Sequence, residues 1–237
     1  MEIVKLMKKI KGLSFDMYRT LIDTKDFHEQ AVQEILNLSN ANSIDLHAFH
    51  SRWDEIYDEV YLASGKSEFM RLYDVSVESL RQAMKEFGIN GDPKKGVDLW
   101  LGKYEKADLY LEVSEVLKIL SEKYPVIITS NVDNDDMGYA MLREKNLPVC
   151  AIVTSESSKS YKPDTKIFED ALLILQLQPK EVLHIGDSQT ADVLGGKKAG
   201  MLTAWLNRPP TKKLKDGIPA PDYEIQNLCE LLDILSF

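Results

Sequence analysis

The chain has 237 residues, of which 44% are hydrophobic and 28% charged, with 12 Gly and 9 Pro. This composition excludes collagen-like and low-complexity disordered classes, and the length allows a full core plus a smaller accessory domain. With 38 acidic residues against 29 basic ones the net charge is −9, which argues against nucleic acid or an anionic membrane as partner and means that an anion site has to build positive potential locally. No run of 18 apolar residues occurs, and Lys5, Lys8, Lys9 and Lys11 interrupt the first twelve positions. Neither a membrane span nor a secretory signal is expected, so the expected location is the cytoplasm. Cys150 and Cys229 belong to no C-x-x-C pair; they are expected to be small buried hydrophobes rather than a bridge or a zinc site.

In chain order, Leu13 to Phe15 reads as a short strand ending at Asp16. From about Lys25 to Ala107 the apolar period becomes helical. Phe27, Ala31, Ile35 and Leu38 mark one amphipathic helix, and Leu46, Phe49, Trp53, Ile56, Tyr57 and Val60 a second. Val77, Leu80, Met84 and Phe87 mark a third, stopped by Gly88; Asp92 caps a fourth, with Pro93 at its first position. Within this block Trp53, Tyr57, Tyr61 and Trp100 are core candidates, as is Trp205 further on. His47 and His50, three apart with no evident third ligand, are read as surface histidines.

After Tyr110 helices and strands alternate. Helices are predicted over Ser114 to Lys123, Asp135 to Lys145, Pro163 to Leu175 and Ala191 to Ala199, and strands over Val126 to Thr129, Val149 to Val153, Val182 to Ile185 and Leu202 to Leu206. Short, almost wholly apolar strands between helices argue for a parallel sheet covered on both faces. The predicted fold is therefore α/β, a doubly wound parallel sheet of Rossmann-like type with a small all-helical cap domain inserted after the first strand. Residues 1–23 and 108–237 would form the core and residues 24–107 the cap. Lys212, Lys213 and Lys215 read as a solvated loop.

Ligands of open parallel sheets sit beyond the carboxyl ends of the strands. That edge receives Asp16, Ser130 with Asn131, Ser155 with Glu156, and Asp187 with Ser188, while Lys162 opens a following helix. Crowded carboxylates raise each other's pKa unless a cation lies between them, and a hard divalent ion, Mg²⁺ by default, answers that need.

Four ordered motifs carry a resemblance: Phe15-Asp16-Met17-Tyr18-Arg19-Thr20-Leu21, Ile128-Thr129-Ser130-Asn131, Tyr161-Lys162-Pro163, and His184-Ile185-Gly186-Asp187 with Asp192 five residues on. The chain resembles the haloacid dehalogenase superfamily, in the subfamily with a small helical cap that includes 2-haloacid dehalogenases and phosphoglycolate phosphatases. The resemblance implies that Asp16 is the nucleophile, that Thr20 orients it, and that Ser130 and Asn131 serve the substrate with Lys162. It also implies that Asp16, Asp187 and the Tyr18 carbonyl ligate Mg²⁺, with Asp192 either holding a metal-bound water or steadying Lys162. A first-turn helix aspartate is the plainer account of Asp192.

Phosphatases of the superfamily usually carry a second aspartate two residues after the nucleophile, as general acid and base. Here that position is Tyr18, as in the 2-haloacid dehalogenases, whose halide leaves without a proton. Arg19 stands where both groups have glycine; it either reaches an anionic substrate or lies exposed on the turn. The fourth motif has the metal-phosphatase form, and the carboxylate at Asp187 gives it the greater weight. The expected function is a Mg²⁺-dependent phosphatase of a small phosphorylated metabolite, the protein being a monomer or homodimer. The alternatives are a metal-independent dehalogenase of a halogenated acid and a catalytically weak, phosphate-binding regulatory protein.

Overall fold

A computed structural model describes residues 10–24, 26–64, 68–136, 145–210 and 212–237. The chain separates into two compact units, Met1–Asp23 with Asp108–Phe237, and Thr24–Ala107.

The first unit is built on a six-stranded, all-parallel sheet. Its strands are β1 (Gly12–Phe15), β4 (Val126–Ser130), β5 (Ala151–Thr154), β6 (Val182–Gly186), β7 (Leu202–Leu206) and β8 (Tyr223–Ile225), in the order β5-β4-β1-β6-β7-β8. β1, β4 and β6 are buried along their whole length, which is why their sequences are largely apolar without alternation. β1 pairs with β4 on one side and β6 on the other, Phe15 lying in register with Ile128 and Ile185. That register brings Asp16, Ser130 and Asp187 out at one edge. A two-residue antiparallel pair, β2 (Ile22–Asp23) with β3 (Asp108–Leu109), was not anticipated from the sequence, and neither was the edge strand β8. All three are too short to show a period.

Helix Val113–Ser121 turns Val113, Val116, Leu117 and Leu120 inward. Helix Thr165–Leu175 starts two residues later than predicted because the Asp164 side chain caps it, accepting from Lys166 N. Its residues Ile167, Phe168 and Ala171 pack with Ile127 and Val153; each large side chain so buried contributes about 1.5–3 kcal/mol. The segment expected as helix Ala191 to Ala199 begins as a π-helical stretch, Gln189–Leu194, capped by Ser188, and runs into Gly195–Lys198. The helix predicted from Asp135 to Lys145 lies largely outside the described residues, Asp135 itself being in a turn. Cys150 and Cys229 are both free and exposed, which corrects the expectation of burial: Cys150 directly precedes β5 and Cys229 directly precedes the last helix, Glu230–Ile234.

The second unit contains helices Phe27–Leu38, Leu46–Ser64, Leu72–Glu86 and Pro93–Gly102. The third helix begins earlier than its apolar stripe indicates, through residues Leu72 to Ser76. Gly88 (φ 64°) follows its end, and the Asp92 side chain accepts from Lys94 N at the start of the fourth. Val32, Ile35, Phe49, Trp53, Ile56, Leu80 and Val97 form its core. Trp53 is buried, with Nε1 donating to Ser79 Oγ at 3.0 Å, and Trp100 is half-buried. Among the described residues, no helix is long and apolar enough to cross a membrane.

Candidate active site

Asp16 follows β1, and its backbone N–H donates to Ile185 O at 2.9 Å. Its Oδ1 accepts from Lys162 Nζ at 2.6 Å and from Ser130 Oγ at 3.0 Å, while Oδ2 accepts a longer bond, 3.3 Å, from Thr20 Oγ1. Thr20 comes within reach because the chain turns back after Met17, with Leu21 N and Ile22 N both donating to Met17 O. Burial raises the Asp16 pKa, and Lys162 opposes that rise.

Lys162 is 2% exposed. Its ammonium donates to Asp16 Oδ1 (2.6 Å), Asp192 Oδ1 (2.6 Å) and Thr129 O (3.0 Å), which accounts for all three of its protons. Burial alone would pull Lys162 down; the two carboxylates outweigh it and hold Lys162 above the usual lysine range. Asn131 clamps the lysine backbone, its Oδ1 accepting from Lys162 N at 2.8 Å and its Nδ2 donating to Lys162 O at 3.2 Å.

Asp192 is saturated. Besides Lys162, its Oδ1 faces His184 Nε2 at 3.1 Å, and its Oδ2 accepts from Ser188 N at 2.9 Å. Burial would raise this carboxyl, yet Lys162 and His184 hold it well below the ordinary carboxylate range. Gly186 makes room for it, because a Cβ there would collide with the Asp192 carboxyl group. Beneath the site the hydrogen bonds continue from His184 Nδ1 to Ser14 Oγ (2.9 Å) and on to Thr129 Oγ1 (3.0 Å). Sequence reasoning missed Ser14, Thr129 and His184 as part of this network. The available signal was a polar residue inside each of three otherwise apolar strands, since buried polar groups need partners.

Asp187 follows β6, where Trp205 Nε1 donates to its backbone carbonyl at 3.1 Å. Burial pushes its pKa up to about 7; Arg19 opposes the rise, and Asp16 and Asp192 add to it. Arg19 adopts φ 63° and lies with Nε 3.3 Å from Asp187 Oδ2. Oxygens of Asp16, Asp187 and Asp192 all lie within 4.8 Å of one another. Tyr18 Oη donates to Asp136 Oδ1 at 2.6 Å. Ser155 and Glu156 stay outside the site and brace the β4 loop, Ser155 Oγ donating to Val132 O and Glu156 Oε2 accepting from Asn134 N.

Arg19, Asp187, Ser188, Gln189, Lys212 and Lys215 line an open cleft of about 280 Å³. Lys212 and Lys215 reach this cleft from an exposed loop, as the sequence reading of a solvated loop expects. Buried Gln189 holds it, with Nε2 donating to Lys213 O at 2.9 Å and Oε1 accepting from Lys215 N at 2.7 Å.

The sequence model of the haloacid dehalogenase-like hydrolase family matches residues 10–200. The chain belongs to that family. As a haloacid dehalogenase-like hydrolase it is 24% identical to the N-acylneuraminate-9-phosphatase of Rattus norvegicus, over 97% of this chain and 95% of that one. It is 28% identical to the (S)-2-haloacid dehalogenase 4A of Burkholderia cepacia, over 98% and 94% respectively. In fold, this hydrolase superposes on the HAD-hydrolase YfnB of Bacillus subtilis, solved bound to magnesium, with a TM-score of 0.79 at 24% identity, covering 97% of this chain and all of that one. Its relatives thus include both phosphatases and a dehalogenase.

Proposed function

We propose that this hydrolase is a Mg²⁺-dependent phosphatase of a small phosphorylated metabolite, acting through an aspartyl-phosphate at Asp16. The observation that carries the proposal is the third carboxylate. Asp187 is half-buried beside the buried Asp16 and Asp192, whereas the buried lysine is already shared by the latter two. An all-oxygen donor set with excess negative charge fits a hard divalent cation.

Asp16 and Asp187, with the Tyr18 carbonyl, would hold the ion, which when bound neutralises phosphate charge and Asp187 together. Among the described residues Asp16 Oδ2 carries only the long bond from Thr20 and is the oxygen free to attack. The new Oδ2–P bond forms as the ester P–O bond breaks, and water later cleaves the acyl phosphate, returning the carboxylate and releasing phosphate. Lys162 and Ser130 fix Oδ1 and so aim Oδ2, and the ammonium offsets repulsion between nucleophile and anionic substrate. Asp192 and Asn131 act through Lys162 as positioning residues. Arg19, Lys212 and Lys215 would attract the anionic substrate, and Thr24–Ala107 would serve as the cap domain. Tyr18 supplies no acid matched to neutral pH, so good leaving groups should be favoured.

The test is hydrolysis of an aryl phosphate. Activity should require Mg²⁺, vanish with EDTA and vanish in Asp16→Asn; metal-independent turnover would overturn the reading. Tyr18 favours a second reading, a metal-independent 2-haloacid dehalogenase, whose signature is chloride release from 2-chloropropionate without added metal.

A further inference from the structure

His50 is not the surface histidine its position suggested. It is half-buried and meets His28 of the neighbouring helix instead of His47. His50 Nε2 lies 3.0 Å from His28 Nδ1, and the Asp54 carboxylate, one helical turn beyond His50, faces both rings. Its Oδ1 is 3.4 Å from His28 Nδ1 and its Oδ2 3.6 Å from His50 Nε2. From these residues we infer a second metal site, for Zn²⁺ or a similar borderline divalent ion, held by His28, His50 and Asp54 within Thr24–Ala107.

The spacing is the first argument. The carboxylate contacts, at 3.4 and 3.6 Å, are too long to be good hydrogen bonds. Together with the 3.0 Å between the two nitrogens, they bracket the ligand-to-ligand separation of about 3.3–3.4 Å that follows from tetrahedral geometry with metal–ligand bonds of about 2.0–2.1 Å. Two imidazoles and one carboxylate are also a donor set that borderline ions prefer and Mg²⁺ does not.

Ligand readiness is the second. His28 packs between Trp53 and Trp100, with ring centroids 4.6 and 4.5 Å away. This packing fixes the ring orientation although its Nε2 has no hydrogen-bond partner among the described residues. Access is the third. The Asp54 side chain is 57% exposed, which gives the ion a path in and leaves outer positions for water or another ligand.

The experiment uses the tag-free full chain carrying Asp187→Asn, so that the carboxylate cluster at the sheet edge is weakened as a competitor. After chelation and dialysis, Zn²⁺ is titrated by equilibrium dialysis and by tryptophan fluorescence, which should respond because Trp53 and Trp100 touch His28. One equivalent should bind, excess Mg²⁺ should not displace it, and His50→Gln and the exposed Asp54→Asn should each weaken it at least tenfold while retaining the helical circular dichroism. Binding unchanged in folded Asp54→Asn and His50→Gln, displacement by Mg²⁺, or no zinc bound by the Asp187→Asn chain would overturn the inference.

Discussion

Asp192 accepts a 2.6 Å hydrogen bond from Lys162 on the same oxygen that faces His184. The lysine that contacts Asp16 is therefore oriented from beneath the sheet edge. Replacing Asp192 with Asn should leave a buried ammonium with one carboxylate partner. Removing one member of such a buried pair costs about 3–5 kcal/mol when nothing compensates, and the retained Asp16 should hold the loss near the lower end. Activity should fall about ten- to a hundredfold in kcat with little change in KM. Denaturant melts and steady-state kinetics measure both.

Gly186→Ala tests the same relationship from the backbone side. The added methyl group occupies the space of the Asp192 carboxyl, so the aspartate has to shift or β6 has to move. We expect a destabilisation of about 1–3 kcal/mol, as for overpacked cores, and a kcat defect resembling that of Asp192→Asn. Thermal melts together with kinetics decide it; a stable, fully active variant would show that Lys162 does not depend on this packing.

Arg19 occupies the left-handed region and pairs with Asp187. Arg19→Gly should relieve a backbone cost of about 1 kcal/mol and remove the cation competing for that carboxylate. Half-saturation with Mg²⁺ should therefore occur at lower concentration. KM for an anionic substrate should rise, because one of three cations at the cleft is lost. Metal titrations and substrate saturation curves separate the two effects.

Tyr18→Asp would place a carboxyl group where the leaving oxygen needs a proton. A positioned general acid is worth about 10²–10⁴ in rate. The gain should therefore be large for alkyl phosphates and small for aryl phosphates, and a leaving-group series in both proteins measures it. Equal gains across the series would mean that the residue at this position does not meet the leaving group.

Glu112 and Arg208 form an ion pair at 2.7 Å, the guanidinium lying 4.0 Å over the Tyr110 ring. Burial would raise the Glu112 carboxyl, but Arg208 and backbone hydrogen bonds from Glu112 and Leu228 together outweigh it and lower the pKa. Above the unfolded value of about 4.3 the carboxylate is ionised in both states, and the pair's stabilisation is fully present. As pH falls through the lowered folded value that stabilisation is lost. Stability curves of the native protein and Glu112→Gln should therefore differ above about pH 5 and converge in acid.

The parallel sheet and the edge residues Asp16, Ser130, Lys162 and Asp187 were legible in the linear chain. Strand interiors buried on both faces are mostly apolar, and the polar residue ending each run marks where the backbone leaves the sheet. Tertiary structure alone decided that Asp192 spends its oxygens on Lys162, His184 and Ser188, and that Asn131 grips a backbone 31 residues away. It alone joined His28 to His50 across two helices, placed Lys212 and Lys215 at a cleft, and left both cysteines exposed. A periodic pattern records which face of an element is buried. Which partner a polar side chain meets depends on how separate elements pack, and no spacing along the chain encodes that distance.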